Sequence, residues 1–120
     1  MAVLRIVPNL ATDRLAPLLE FYRGLFDLEL VMDHGWIATM ASEASARVQL
    51  SMATQGGSGT PVPDLSIEVD DVDAVHARAR DLQVPIVYPL TEETWGVRRF
   101  FLRDPSGRLV NVLSHGRTDT

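Results

Sequence analysis

Residues 98–115 read RRFFLRDPSGRLVNVLSH. Two apolar runs flank an Asp-Pro-Ser-Gly tetrapeptide at 104–107, a composition that predicts a strand, a tight turn and a returning strand. The returning strand carries one amide, Asn111, among Leu109, Val110, Val112 and Leu113. A lone amide in an apolar strand raises the question of whether this strand pair lines a site, and whether that site does chemistry.

Working outward, the strand pair closes a unit over 64–115. DLSIEV (64–69) reads as a strand. DDVDAVHARARDL (70–82) reads as a helix, with Val72, Val75, Ala79 and Leu82 on one face and Asp70 or Asp71 as its cap. VPIVYPL (84–90) supplies a further strand before the terminal pair, with LTEETWG (90–96) as the loop that follows.

The same order occurs upstream, over 1–54. LRIVPNL (4–10) predicts a strand, and 11–26 a helix whose Leu15, Leu18, Leu19, Tyr22 and Phe26 recur at spacings of three and four. Thr12 or Asp13 is the expected N-cap, Pro17 is tolerated in the first turn, and Asp27 is expected to close the helix in a left-handed conformation. LELVMD (28–33), GWIATMA (35–41) and ARVQLSMA (46–53) predict three strands. The Gly/Pro/Ser/Thr-rich stretch 55–63 reads as a linker. The chain is thus β-α-β-β-β written twice. One copy would leave a sheet face bare, so the expectation is a single α+β domain over 1–120.

Bulk properties prune the function classes. The chain has 120 residues, 46% hydrophobic and 22% charged, with a net charge of −5 and arginine as its sole basic residue type apart from histidine. An acidic chain without a basic run is a poor nucleic-acid binder. No stretch approaches a membrane span and the N-terminal residues lack a signal peptide's apolar segment, so the expected compartment is the cytoplasm. Without cysteine or lysine there is no thiolate, disulfide or Schiff-base chemistry. No nucleophile elbow, HExxH or phosphate loop occurs. Glu92 and Glu93 could edge a pocket, but nothing marks them as catalytic.

Three stretches, EFYRGLFDLELV (20–31), LSIEVDDVDAVHARA (65–79) and FFLRDPSGRLVNV (100–112), resemble the vicinal oxygen chelate superfamily of glyoxalase I, bleomycin-resistance proteins and extradiol dioxygenases. The resemblance implies paired βαβββ modules curling into half-open sheets around a cavity, often completed by a homodimer. In metal-dependent relatives, inward side chains of the first and last strand of each module hold the ion. Here those positions fall at Val7 or Pro8, Gln49, Asp64 and Asn111. One carboxylate and two amides are too weak a set for a transition metal. His34, His76 and His115 match none of the positions. The expectation is therefore no metal and no cofactor.

What remains is a cavity lining. Trp36, Met40 and Met52 of the first module and Tyr88, Trp95 and Phe101 of the second are the candidate apolar walls, with Gln49, Asp64 and Asn111 as polar positions. Trp36 and Trp95 both sit beside turns, where strands end. Arg98, Arg99, Arg103 and Arg108 cluster in an otherwise acidic chain, and alternation sends Arg99 and Arg103 to one face, where either could meet an acidic group on a ligand. The leading expectation is a module that sequesters a planar or apolar small molecule. A metal-dependent lyase, isomerase or dioxygenase of the same superfamily is the alternative, and a vestigial pocket in an assembly protein is the third reading.

Overall fold

The computed structural model describes residues 1, 4–46 and 49–115. Along the chain it forms α1 (Leu15–Phe26), β1 (Glu29–Asp33), β2 (Ala38–Ala41), β3 (Leu65–Glu68), α2 (Val72–Asp81), β4 (Ile86–Glu92), β5 (Val97–Arg103) and β6 (Leu109–His115). Two compact units divide the sequence between Val62 and Pro63.

In the second unit the strands lie in the order β3-β6-β5-β4, with β3 parallel to β6 and the other neighbours antiparallel. The turn from β5 to β6 is built on Asp104, which is 4% exposed. One oxygen of its carboxylate accepts from the amides of Ser106 at 2.9 Å and Arg108 at 3.0 Å and from the Ser106 hydroxyl at 2.6 Å. Gly107, at φ 86°, turns the chain back and donates its amide to the Asp104 carbonyl at 2.9 Å. This local satisfaction of amides by an aspartate is why the Asp-Pro-Ser-Gly stretch makes a stop rather than a longer strand.

The turn fixes a register in which Phe100 faces Val112, Phe101 faces Asn111 and Leu102 faces Val110. Alternation then gives the sheet two chemically distinct faces. Phe100, Leu102, Val110 and Val112 are fully buried on the side covered by α2, which contributes Val72, Val75 and Ala79. Each such side chain is worth about 1.5–3 kcal/mol of burial, so this layer is the core. His76 of α2 sets its ring edge-on to Phe100 at 4.9 Å, and burial, with the Arg80 charge second, pushes its pKa below the ordinary 6.5.

Asp71 caps α2 by accepting from the Ala74 amide at 3.1 Å. The Ser114 hydroxyl accepts from the Val72 amide at 3.1 Å and donates to the Val69 carbonyl at 2.7 Å, tying the helix start to the last strand. Leu82, expected on the buried face, instead follows the helix end and stands 59% exposed.

The first unit departs further from expectation. It holds α1 and the β1–β2 hairpin, while residues 4–10 form no strand. Of the stretch 46–53, residues 47 and 48 lie outside the described residues and the others form no strand. Pro8 removes a ladder donor from the first of these segments, and short apolar runs are the least decisive strand signal. Helix α1 starts at Leu15 with Arg14 as an N-cap lacking a side-chain bond. Thr12, an expected cap, instead accepts the Arg14 amide at 3.0 Å, a turn just before the helix. Pro17 therefore stays in the first turn. Asp27 closes the helix at φ 55°, ψ 40°, with its amide donating to the Arg23 carbonyl. The buried stripe is Leu18, Tyr22 and Leu25, and Phe26 stacks on Tyr22 at 6.0 Å.

The connector is a hydrogen-bonded turn rather than a slack linker. The Gly56 amide donates to the Thr60 carbonyl at 2.8 Å, and the Thr60 amide and hydroxyl return to the Gly57 carbonyl at 3.0 and 2.7 Å. A Cβ on Gly56 would lie 2.1 Å from the Pro61 carbonyl oxygen, so only glycine fits.

If Asp104 sets the register, Asp104→Ala should destabilise the protein by about 1–3 kcal/mol, the cost of losing hydrogen bonds from three part-buried donors to a charged acceptor, and Asp104→Asn by less. Urea unfolding followed by circular dichroism measures both. Equal stability of the wild type and the alanine variant would remove the turn from this role.

Candidate functional site

The face of the second unit's sheet opposite α2 carries Val97, Arg99, Phe101 and Arg103 from β5. Arg99 is 4% exposed, an unusual place for a guanidinium. Its Nε donates to Glu93 Oε2 at 2.7 Å, and the Tyr88 hydroxyl donates to the same oxygen at 2.9 Å. Three rings surround the guanidinium, with centroids 4.8 Å away for Phe101 and 5.2 Å for both Tyr88 and Trp95. Tyr88 and Phe101 also contact each other at 5.2 Å, tilted by 46°.

The β4–β5 hairpin brings these groups together. Its register sets Tyr88 against Phe101 and Thr91 against Arg99. The Glu93 amide then donates to the Val97 carbonyl at 2.7 Å, and Gly96 at φ 85° lets the loop close with Trp95 at its tip. Trp95 rests on Arg99 yet remains 51% exposed, so it presents an aromatic surface to the outside.

Polar groups continue the same face across β6 and β3. Asn111 lies opposite Phe101 in the ladder and beside Ser66, to whose hydroxyl its Nδ2 donates at 3.1 Å. Asn111 is 8% exposed, and its Oδ1 is buried without a hydrogen-bond partner. Asp64 caps the start of β3, its carboxylate accepting the Leu109 amide at 2.9 Å. At the far end of the same strands, His115 Nδ1 lies 2.8 Å from Glu68 Oε2.

The neighbouring arginines show how burial changes the energetics. Arg98, on the opposite face, donates to Asp73 at 2.8 Å and Glu92 at 3.3 Å. Hydrogen bonding from Arg98 holds the Asp73 carboxyl below its usual range, and Asp73 in turn raises the Arg98 pKa. Water screens that exposed pair, which contributes little. The Arg99–Glu93 pair is sealed from water, so neither partner can be removed cheaply.

Of the ten candidate ligand-binding positions, Tyr88, Trp95, Arg99 and Phe101 come together, Asn111 adjoins them, and Asp64 serves as a strand cap. Trp36, Met40, Gln49 and Met52 belong to the first unit. Trp36 follows the Gly35 turn and is 80% exposed, Met40 is half-buried in β2, and Gln49 and Met52 are exposed outside any strand. That unit has its own open groove of about 750 Å³ beside α1, lined by side chains such as Leu19, Glu20, Arg23 and Leu30, with none of the candidate residues in it.

Two expectations change. Arg99 is not a free cation for an acidic ligand, because Glu93 neutralises it; Arg103 is exposed and donates to the Gly107 carbonyl at 3.0 Å. Glu93 belongs to the constellation although its sequence context reads as a loop. The signal for it was the short Glu93–Gly96 hairpin, which returns the chain so that Glu93 and Arg99 share a face.

The donor set does not suit the metal that the resemblance implies. Within the second unit the two ligand positions supply one exposed carboxylate already bound to an amide and one neutral amide. Among the described residues no three His, Asp or Glu side chains converge on a common point. His34 is in a hairpin turn, His76 packs on Phe100, and His115 pairs with Glu68.

The second unit is thus a four-stranded mixed sheet with one helix on one face and buried aromatic, amide and ion-paired side chains on the other. The sequence matches the family model for the glyoxalase/bleomycin resistance protein/dioxygenase superfamily over residues 3–112, and the chain belongs to that superfamily. No curated protein matches it. Similar solved structures include a lactoylglutathione lyase from Agrobacterium tumefaciens, 21% identical over 88% of each chain with a TM-score of 0.62. A protein of unknown function from A. tumefaciens str. C58 is 22% identical over 95% of this chain and 94% of its own, with a TM-score of 0.63. TioX from Micromonospora sp. ML1 is 22% identical over 85% of this chain and 88% of its own, with a TM-score of 0.54. At such identities the likeness is one of fold.

Removing one member of the buried pair leaves the other charge without its main counter-ion. Arg99→Met or Glu93→Gln alone should therefore cost about 3–5 kcal/mol, and the double change Arg99→Met with Glu93→Gln should cost less than the sum. Chemical denaturation of the four proteins gives the coupling. Additive losses would mean that the pair does not hold the hairpin together.

Proposed function

We propose that the protein binds a planar or largely apolar small molecule on the aromatic face of its second module and releases it unchanged. The observation that carries this reading is the half-exposed Trp95 stacked over a charge-neutralised Arg99, beside the Phe101 and Tyr88 rings. Aromatic walls grip flat ligands by offset stacking, worth about 0.5–1.5 kcal/mol per pair beyond burial. The absence of a suitable donor set in the second unit favours sequestration over the metal-dependent lyase, isomerase or dioxygenase chemistry of the same superfamily.

Micromolar binding corresponds to about −8 kcal/mol, of which stacking on the half-exposed Trp95 supplies about 0.5–1.5 kcal/mol and burial of the ligand the rest. Aromatic compounds titrated into the protein should quench or shift tryptophan emission. The change should survive Trp36→Ala and be lost in Trp95→Ala. Elemental analysis of protein purified without chelator should find no stoichiometric metal. About one zinc, nickel or iron per chain, together with turnover of an α-keto aldehyde thiol adduct, would replace this reading with the enzymatic one.

The proposal extends to assembly. Leu4, Trp36, Leu50 and Met52 are large apolar side chains with 71–88% of their surface exposed, and a second copy of the chain is the partner proposed to cover them. Sedimentation at micromolar concentration should give a dimer. A species of 13.3 kDa alone would overturn this part.

A further inference from the structure

We infer that His76 is an acid-sensitive latch: its neutral ring holds α2 against the sheet, and a proton on that ring loosens the helix. The ring stands edge-on to Phe100 at 4.9 Å, and Phe100, 0% exposed, belongs to the apolar layer between helix and sheet. His76 itself is half-buried. An imidazolium here would bring its charge to the margin of that layer and give up part of its water.

The surroundings offer little in return. Arg80, one turn further along α2, and Arg98 of β5 both set positive charge against the ring. Among the described residues the one carboxylate acting on it is Asp73, one turn back on the same helix. Arg98 already occupies both oxygens of Asp73, with Nη2 donating to Oδ1 at 2.8 Å and Nε to Oδ2 at 3.1 Å. Glu92 of β4 is engaged by the same guanidinium at 3.3 Å. From β6 the helix meets Val110, Val112 and the Ser114 hydroxyl, none of which titrates. A proton on His76 therefore sits beside two arginines without a free counter-ion, or draws Asp73 away from Arg98 and breaks the tie between α2 and β5. Both outcomes weaken the same contact, that of the helix with the sheet.

The direction in pH follows. Burial first, and the Arg80 charge second, keep the His76 pKa below the ordinary 6.5, with Arg98 acting the same way and Asp73 opposed. The unfolded chain takes up the proton at the higher pH. This part of the stability is thus whole above about pH 6.5 and is lost as the pH falls below that value through the folded pKa.

The test uses the full chain carrying His34→Gln and His115→Gln, two exposed positions whose replacement leaves His76 as the remaining imidazole. Urea unfolding followed by circular dichroism should give a lower midpoint at about pH 5.5 than at about pH 7.5, a span that brackets the ordinary histidine pKa. Adding His76→Gln should make this acid loss smaller, and Arg80→Gln, at an exposed position, should shrink it as well. Proton NMR of the imidazole in the folded protein reads the same event without changing His76, and its titration midpoint should lie below that of a histidine peptide. An acid loss unchanged by His76→Gln, or an NMR midpoint at or above the peptide value, would overturn the latch.

Discussion

The register of β5 against β6 is the constraint on which the second unit depends. Because side chains alternate along a strand, a slip of one residue would carry Phe100 and Leu102 to the open face and drive Arg99 and Phe101 under α2. The core would then hold a guanidinium without Glu93, and the aromatic cluster would be dismantled. Asp104 prevents the slip locally, by taking three donors of the turn onto one carboxylate oxygen. Phe100 and Val112 enforce it from a distance, by their burial beneath α2. Local turn chemistry and the apolar layer choose the same register, which is the agreement between levels that lets a sequence specify one structure.

On the open face the problem is reversed. Besides Val97 and Leu109 it carries Arg99, Phe101 and Asn111, and these are buried as well. Arg99 is tolerable there because Glu93 and three ring faces replace the water it loses, and because Tyr88 binds the same Glu93 oxygen as the guanidinium. These contacts join β4, β5 and the loop between them. The loop tip is held in consequence, and Trp95 is presented in a fixed position rather than swinging on a free hairpin. Pre-positioning of this kind lowers the entropy lost when a flat surface is used for binding.

Much of this was legible in the sequence, for identifiable reasons. The Asp-Pro-Ser-Gly turn, the Asp71 cap and the left-handed Asp27 are short-range features, decided by residues within four positions of one another. Strand alternation put Arg99 and Arg103 on one face, and Phe101 between them follows the same rule. What alternation could not supply was the partner of Arg99, since Glu93 reaches it across a hairpin whose length the sequence left open. The first module was less readable. Its flanking segments 4–10 and 46–53 have strand-like apolar content but are short apolar runs, the least decisive strand signal, and Pro8 weakens the first. Leu82 was misplaced because helical periodicity was extended one residue past the helix end at Asp81.

Two buried polar residues on the face opposite α2, Arg99 and Asn111, differ in how they are satisfied. Arg99 is neutralised from within the chain, by a carboxylate six residues away, and its burial needs nothing further. Asn111 is half satisfied: Ser66 takes its Nδ2 while Oδ1 faces no donor. A fold selected for stability alone gains nothing from the second arrangement, because the desolvation cost of the carbonyl is met by no bond inside the protein. Burying the Asn111 carbonyl is thus a cost that the contacts of its own strand leave standing, whereas the Arg99 charge is offset within its own hairpin.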